Sequence, residues 1–474
     1  MTVSVTAYHN LQISPYELTS LKELTLTKKL NEHARLQFTG IVSEKVKDRY
    51  VATAEAKSPI EVWQLDPSGN RSPLFNGIVL NIEVRSVRDV YYMEVEAVSH
   101  TYDLDVQQKS RSFQYTEMTY GALFKQVGAN YPGIDILDEA TNGGTLGTFT
   151  MQYKETDWQF LKRMASRFHT GLVPAALFDK PKFHFGIPEG QHKGNLEEYH
   201  YTITKNIAHY LKLKENDDVE LDENDCMYYT VETDRILEIG DQVTFKAESL
   251  YVFEAVTKMQ EGLLKNSYTL SSKNGMGQKT IHNHSIIGLS IEGKVLEVAK
   301  DHVKIHLEID QTQNKNEAYW FPYATNYSAE GHSGWYCMPE VNDTVRVYFP
   351  TPQEEDGVAN SSVRKNTEDS KTNKLSDPNI KYFRTAFGKE LMMSPKEIVI
   401  TAQDGDVFIR LNEENGIEIY SKKEIKVISD QDISLNASSK IMINAKEKIQ
   451  LSCKESTITL DGDTQIYGKE VKTN

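Results

Sequence analysis

From Ile417 to Leu451, apolar pairs return every eight residues: Ile417/Ile419, Ile425/Val427, Ile433/Leu435, Ile441/Ile443 and Ile449/Leu451. Two positions after each pair stands a small residue (Ser421, Ser429, Ala437, Ala445, Cys453), and Ile409/Leu411 extends the series upstream. Past Cys453 the register slips by one, to Ile458/Leu460 and then Ile466. A fixed short period dictates architecture before any local propensity does.

Within an octad the alternation is period two, so Ile417, Ile419 and Ser421 face one way and Glu418 and Tyr420 the other. A polar corner follows, such as Lys422-Lys423-Glu424 or Asp430-Gln431-Asp432. Eight extended residues span roughly 26 Å at about 3.3 Å each. Coiled alone, they would make a triangle with sides of about 9 Å, too narrow for sheets that pack at about 10 Å. Three chains, each giving one octad per turn, close a triangular prism about 26 Å on a side with the aliphatic pairs inside. Closure also removes exposed sheet edges. A monomeric solenoid with two octads per turn satisfies the same geometry. A calcium-bound roll needs glycine- and aspartate-rich turns, which the octads lack. The favoured reading is a three-chain needle whose trimer core is the ten residues of the five pairs from Ile417 to Leu451. Ile458, Leu460, Ile466 and Tyr467 form its tip, where loss of the small-residue column suggests a flat or tapering end and a docking site for a cap.

At 474 residues the chain has room for three or four domains. Its formal charge of −15, with no basic block, argues against a nucleic-acid partner. Cys226, Cys337 and Cys453 lie far apart without metal or redox spacing and read as free thiols. The opening Met1-Thr-Val-Ser-Val-Thr-Ala alternates like a strand and has no charged region followed by an apolar run. The expectation is a chain made in the cytoplasm without a signal peptide or membrane span, leaving by a route other than ordinary secretion.

Residues 1 to about 115 read as β-rich, the start of a region 1–280 of two barrel-like subdomains, with strand-like runs at Leu36–Phe38, Ile60–Val62, Gly77–Leu80 and Tyr91–Val95 and a turn at Asp66-Pro-Ser-Gly69. A helix is predicted near Thr119, with Tyr120, Leu123, Phe124 and Val127 on one face. A second begins at Thr156, where Thr156 and Gln159 make a capping box. Phe160, Leu161, Met164 and Phe168 form its stripe and Gly171 ends it. Strands follow at Lys182–Phe185 and Asp241–Lys246. Residues 285–364 carry short strands at Ser290–Val295, His302–Leu307, Tyr319–Pro322 and Thr344–Phe349, as in a small OB-type barrel. Residues 365–381 are a polar linker and 382–474 the needle.

Met151-Gln-Tyr-Lys-Glu-Thr-Asp-Trp-Gln-Phe-Leu-Lys-Arg163 resembles the "QY-x-E-[ST]-D-[WF]-x-F-L-x-R" segment of VgrG proteins and related hubs of contractile phage tails. Asn76-Gly-Ile-Val79 is similar to that family's "x-G-x-V" strand, and Ser110-Arg-Ser-Phe-Gln114 to its "R-x-F-Q" step into the first helix. Pro339-Glu-Val-Asn-Asp-Thr-Val-Arg-Val-Tyr-Phe349 resembles the closing "P-x-x-[GN]-D-x-V-x-V-x-F" of the spike barrel, with Asn342 where Gly is common. Tyr382-Phe-Arg-Thr-Ala-Phe-Gly388 is similar to the "R-T-x-x-G-x-E" step into the prism.

The resemblance implies a mainly β protein: β-barrel-like hub domains with a few helices, a small OB-type barrel and a C-terminal three-chain β-helical prism. It implies a homotrimer whose hub presents a pseudo-sixfold ring to a hexameric inner tube protein. Sheath contraction would then drive the spike through a target envelope. Baseplate proteins and a small PAAR-type tip protein are the other implied partners. Type VI secretion, an extracellular particle, a phage-tail-like bacteriocin and a phage all remain open as the machine. A trimeric fibre or adhesin is the main rival, and a muralytic puncturing enzyme the second. A linker of this length cannot house an enzyme domain of on the order of 100 residues.

The remaining candidates point to no chemistry. His282-Asn-His284 has metal-ligand spacing but lies in the approach to the barrel. Gly331-His-Ser-Gly334 has the wrong glycine spacing for a nucleophile elbow. The acidic run Glu215–Asp225 lacks the central glycine of a calcium loop and reads as a solvated face. Trp158, Phe160 and Leu161 read as core. No catalytic residue, metal or cofactor is expected.

Overall fold

The computed structural model describes residues 10–65, 69–198, 200–216, 221–260, 262–325, 328–329, 333–334, 336–363, 377–403, 405–470 and 472. The strand-like N-terminus, residues 66–68 of the Asp66–Gly69 turn and residues 365–376 of the linker lie outside these residues. The chain divides into two units, Met1–Thr367 and Glu368–Asn474.

The first unit is organised by one twelve-stranded sheet. Its central strands alternate as the sequence does: Leu36, Phe38 and Val42 of Arg35–Val42 are buried, while Arg35 and Gln37 face out. The order runs from Leu11–Ser14 through Pro59–Leu65, Arg71–Val87, Val90–Ser99 and Arg35–Val42 to Ser20–Lys29. There Lys29 pairs with Glu254, and the sheet continues through Glu248–Gln260, Leu263–Ser271 and Met227–Thr233 to Tyr201–Lys205. Two separate cores result, one around Phe38, Phe75 and Val95, the other around Val231, Phe245 and Tyr268. Gly77, of the "x-G-x-V" strand, is required by closeness: a Cβ there would meet the Val98 carbonyl oxygen at 2.2 Å.

Helices Tyr120–Gly128 and Asp157–Ser166 pack with strand Lys182–Phe185 into a third core. Trp158, Phe160 and Leu161 lie inside it. Thr119 caps the first helix, and the Thr156/Gln159 capping box is present on the second. The second helix ends sooner than the stripe implied. His169 takes the left-handed conformation (φ 51°), and the Thr170 N–H turns back to the Ala165 carbonyl. Phe168 therefore leaves the helix and packs edge-on against Tyr120, and Gly171 is not the terminator.

The barrel is closed by Leu289–Ala299, His302–Leu307, Trp320–Ala324, Val358–Asn360 and Thr344–Phe349. Gly293 sits where a Cβ would strike Ile305 at 2.4 Å. Asn342 takes φ 75°, the turn conformation that Gly would otherwise supply. No helix among the described residues is long and apolar enough to cross a membrane.

The second unit contains two antiparallel sheets. Lys381–Arg384, Glu390–Met393, Glu397–Gln403, Val407–Asn412 and Gly416–Ser421 form a five-stranded meander. Ile449–Cys453, Ser456–Leu460 and Thr464–Tyr467 form a three-stranded one.

Candidate functional site: a joint and an open face

Strands Gln108–Phe113 and Thr150–Thr156 form a two-stranded ribbon, and they carry the "R-x-F-Q" and "QY-x-E" motifs. Period two divides the ribbon between two cores. Met151, with Phe149 just before the strand, enters the barrel core, where Phe149 meets Phe321 at 5.0 Å edge-to-face. Ser112, paired with Met151, faces the same way. Phe113, Arg111 and Gln152 face the helical core, and Phe113 stacks on Phe160 at 5.4 Å.

The polar residues of these motifs satisfy one another. Fully buried Asp157 accepts from Lys109 (2.5 Å), Arg111 (2.7 Å), Tyr131 (2.7 Å) and Gln152 (3.0 Å). Burial first, and then the bond to Asp157, push the Tyr131 phenol well above its ordinary pKa. Arg163 holds Glu155 with two bonds of 2.9 Å and the Met151 carbonyl at 2.7 Å. Burial alone would lower the Arg163 pKa, but Glu354 and Glu155 hold it above its ordinary value.

Two carboxylates from the barrel side complete the ribbon. Glu354, 3% exposed, contacts Arg163 Nη1 at 3.0 Å and Arg167 Nη2 at 2.7 Å, and accepts from the Met151 N–H at 3.0 Å. Asp310 accepts from the Ser112 N–H (2.6 Å) and hydroxyl (2.5 Å). Burial raises the Asp310 pKa against the pull of those bonds. Gln114 bridges the same gap, donating to the Ile305 carbonyl and accepting from the Tyr319 N–H. Sequence reasoning missed Glu354 and Asp310. Both stand in ordinary polar loops, and no local spacing marks them.

The octad residues divide into three groups. Ile417 and Ile419 pair with Leu411 and Ile409 in an antiparallel hairpin, so these first octads fold back rather than wind on. Two apolar rows cross this sheet on one face: Leu391, Ile400, Ile409, Ile419 and Met393, Ile398, Leu411, Ile417. None of the described residues covers them fully; Ile417 is 73% and Ile419 62% exposed. The other face is finished, with Arg384–Glu390 and Arg410–Glu418 pairs at 2.8 Å and Phe408 stacked on Tyr420.

Ile425, Val427, Ile433, Leu435, Ile441 and Ile443 lie in a stretch without strands. Among the described residues, 423–448 form no backbone–backbone hydrogen bond, and these six side chains are exposed. Ile449 and Leu451 instead join the tip. Leu451, Ile458 and Ile466 make one cross-strand row and Ile449 and Leu460 another. Tyr467 pairs with Thr457, on the face of this sheet opposite Ile458, Leu460 and Ile466.

The other candidates have local roles. Asn283, between His282 and His284, donates to the Tyr153 carbonyl and caps a short 3₁₀ turn. Asp222 and Asp225 cap the turn Glu223–Cys226; residues 217–220 of that acidic run lie outside the described residues. So do Gly331 and His332, while Ser333–Gly334 pairs with Ser328–Ala329. No group of three or more His, Cys, Asp or Glu suited to a metal occurs among the described residues.

No protein-family model matches the sequence, and no curated protein matches it. Solved structures do. An E. coli protein, c3393, is 14% identical with a TM-score of 0.54, over 75% of this chain and 100% of that one. It is described as a component of the type VI secretion system with structural similarity to the T4 bacteriophage tail proteins gp27 and gp5. A chain of the lidded Francisella PdpA–VgrG complex matches at 10% identity and TM-score 0.54, over 85% and 76% of the two chains. A chain of the half-lidded form matches at 9% and 0.52, over 88% and 87%. At these identities the likeness is one of fold: this chain shares the fold of that type VI secretion component and of chains in the PdpA–VgrG complex.

Proposed function

We propose that the chain is the central spike of a contractile injection machine and acts as a homotrimer. The observation that carries this reading is the open aliphatic face of Lys381–Ser421, followed by apolar pairs without backbone partners, in a chain with a hub-and-spike fold. Each Ile or Leu buried is worth roughly 1.5–3 kcal/mol. Three copies facing inward would bury both the rows and the unpaired octads, and the ion-paired face would remain in water. In this reading residues 1–280 are the hub, 285–364 the barrel, 365–381 the linker and 382–474 the needle.

The hub caps a hexameric inner tube protein and sits among baseplate proteins. The needle pierces the target envelope on contraction, and its end takes a PAAR-type tip protein. The role is mechanical rather than enzymatic. Light scattering on the whole protein tests the central claim: three 54.0 kDa chains give about 162 kDa, whereas a mass of one chain ends the reading.

A further inference from the structure

We propose that Glu354 and Asp310 are a two-point latch that fixes the barrel on the ribbon, so that hub and barrel move as one body. Neither carboxylate serves its own barrel in the contacts described above. Glu354 reaches out to Arg163, Arg167 and the Met151 N–H, and Asp310 to both donors of Ser112. Ser112 and Met151 are opposite one another on the two ribbon strands. The two anchors therefore grip neighbouring positions of one rigid element, and two separated points prevent the rotation that one would allow. Phe149 and Met151 of the same ribbon are fully buried in the barrel core, and Glu354 is 3% exposed. In such a setting charge-assisted bonds are strong and directional. Load entering the needle would cross this joint to reach the hub. That consequence rests on the spike reading, whereas the latch does not.

Hydrogen exchange on the full-length protein tests the latch by itself. Two amides at the joint are informative, and neither bonds to Glu354 or Asp310: Tyr319, which donates across it to Gln114, and Ile281, just ahead of the barrel, which donates to Ser166. In the wild-type protein both should exchange as slowly as the barrel strand His302–Leu307. In Glu354→Gln/Asp310→Ala they should exchange at least about tenfold faster, while His302–Leu307 and the hub strand Val90–Ser99 keep their rates. Returning Asp310 alone should restore part of the protection. The proposal is overturned if the two amides are already fast in the wild type, or if they are unchanged in the double variant. It is equally overturned if they speed up only together with His302–Leu307, because the carboxylates then support the barrel's stability and hold no joint. Should the double variant fail to fold, Ser112→Ala removes the hydroxyl contact to Asp310 and Arg167→Met one contact to Glu354. The same comparison of rates then decides.

Discussion

The ribbon and the octad sheet are both short-strand, period-two structures, yet they differ in where their partners lie. Each face of the ribbon meets a core of its own chain, and its charges are matched within a few ångströms. The sheet Lys381–Ser421 has one finished face and one bare one. Two aliphatic rows left in water are the mark of an interaction surface. On the trimer proposed above, the contrast separates what one chain completes from what it leaves for assembly. A variant should then fail in a way that depends on its region: ribbon variants in how the chain folds, octad variants in how many chains associate.

The sharpest way to break the comparison is Leu435→Asp. In a trimer the substitution places three carboxylates together in an apolar interior. An unpaired buried charge costs several kcal/mol even after relaxation, and like charges add to it. The expected outcome is complete loss of association by light scattering, with hub and barrel still folded by circular dichroism. A wild-type mass that survives the substitution would put Leu435 in solvent. Next in size is Glu354→Ala on the ribbon side. It leaves Arg167 without this carboxylate and Arg163 with only Glu155. Breaking a buried pair in this way costs about 3–5 kcal/mol. Thermal unfolding of the hub-and-barrel unit should fall accordingly, with the chain count unchanged.

Thr156→Ala is a smaller test of the same side. The Thr156 hydroxyl accepts from the Gln159 N–H, and the Gln159 side chain accepts from the Thr156 N–H. Losing such a cap costs about 0.5–2 kcal/mol, again without change of mass. Asp432→Ser, in an octad corner, should change neither quantity, since exposed charged groups contribute about 0–1 kcal/mol.

What could be read in advance follows the same division. Local rules were enough where a residue's partner is near in sequence: the Thr156/Gln159 box, the stripe Phe160–Leu161–Met164, and the turn at Asn342. The motif residues were recognisable as a set, and the structure supplies the reason, since they are one another's partners across the ribbon. Glu354 and Asp310 were not legible, because a carboxylate bound about 200 residues away leaves no local period. The octads were legible as apolar pairs, but their geometry was not. A repeat of eight does not say whether neighbouring pairs hairpin, as Ile409/Leu411 and Ile417/Ile419 do, or stay unpaired within the chain, as Ile433/Leu435 does.

The subtlest difference between the regions is one of slope with pH. Asp310 has its pKa raised, first by burial and against the hydrogen bonds from Ser112 and the nearby His306. A carboxyl with a raised folded-state pKa holds its proton more tightly in the folded protein than in the unfolded chain. Its contribution to stability is therefore complete below the ordinary carboxyl range and is lost as pH rises through the raised value. Asp310→Asn keeps the volume, and its amide can accept from the Ser112 N–H and donate to the Ser112 hydroxyl oxygen, but it cannot ionise and so does not suffer that loss. Relative to this variant, the wild-type unfolding midpoint should drop as pH is raised from acid to neutral. The signal is the difference between the two proteins, because every other titrating group is common to both. A flat difference at Asp310 would mean that the hydrogen bonds from Ser112 and the nearby His306 fully offset the cost of burying its carboxyl.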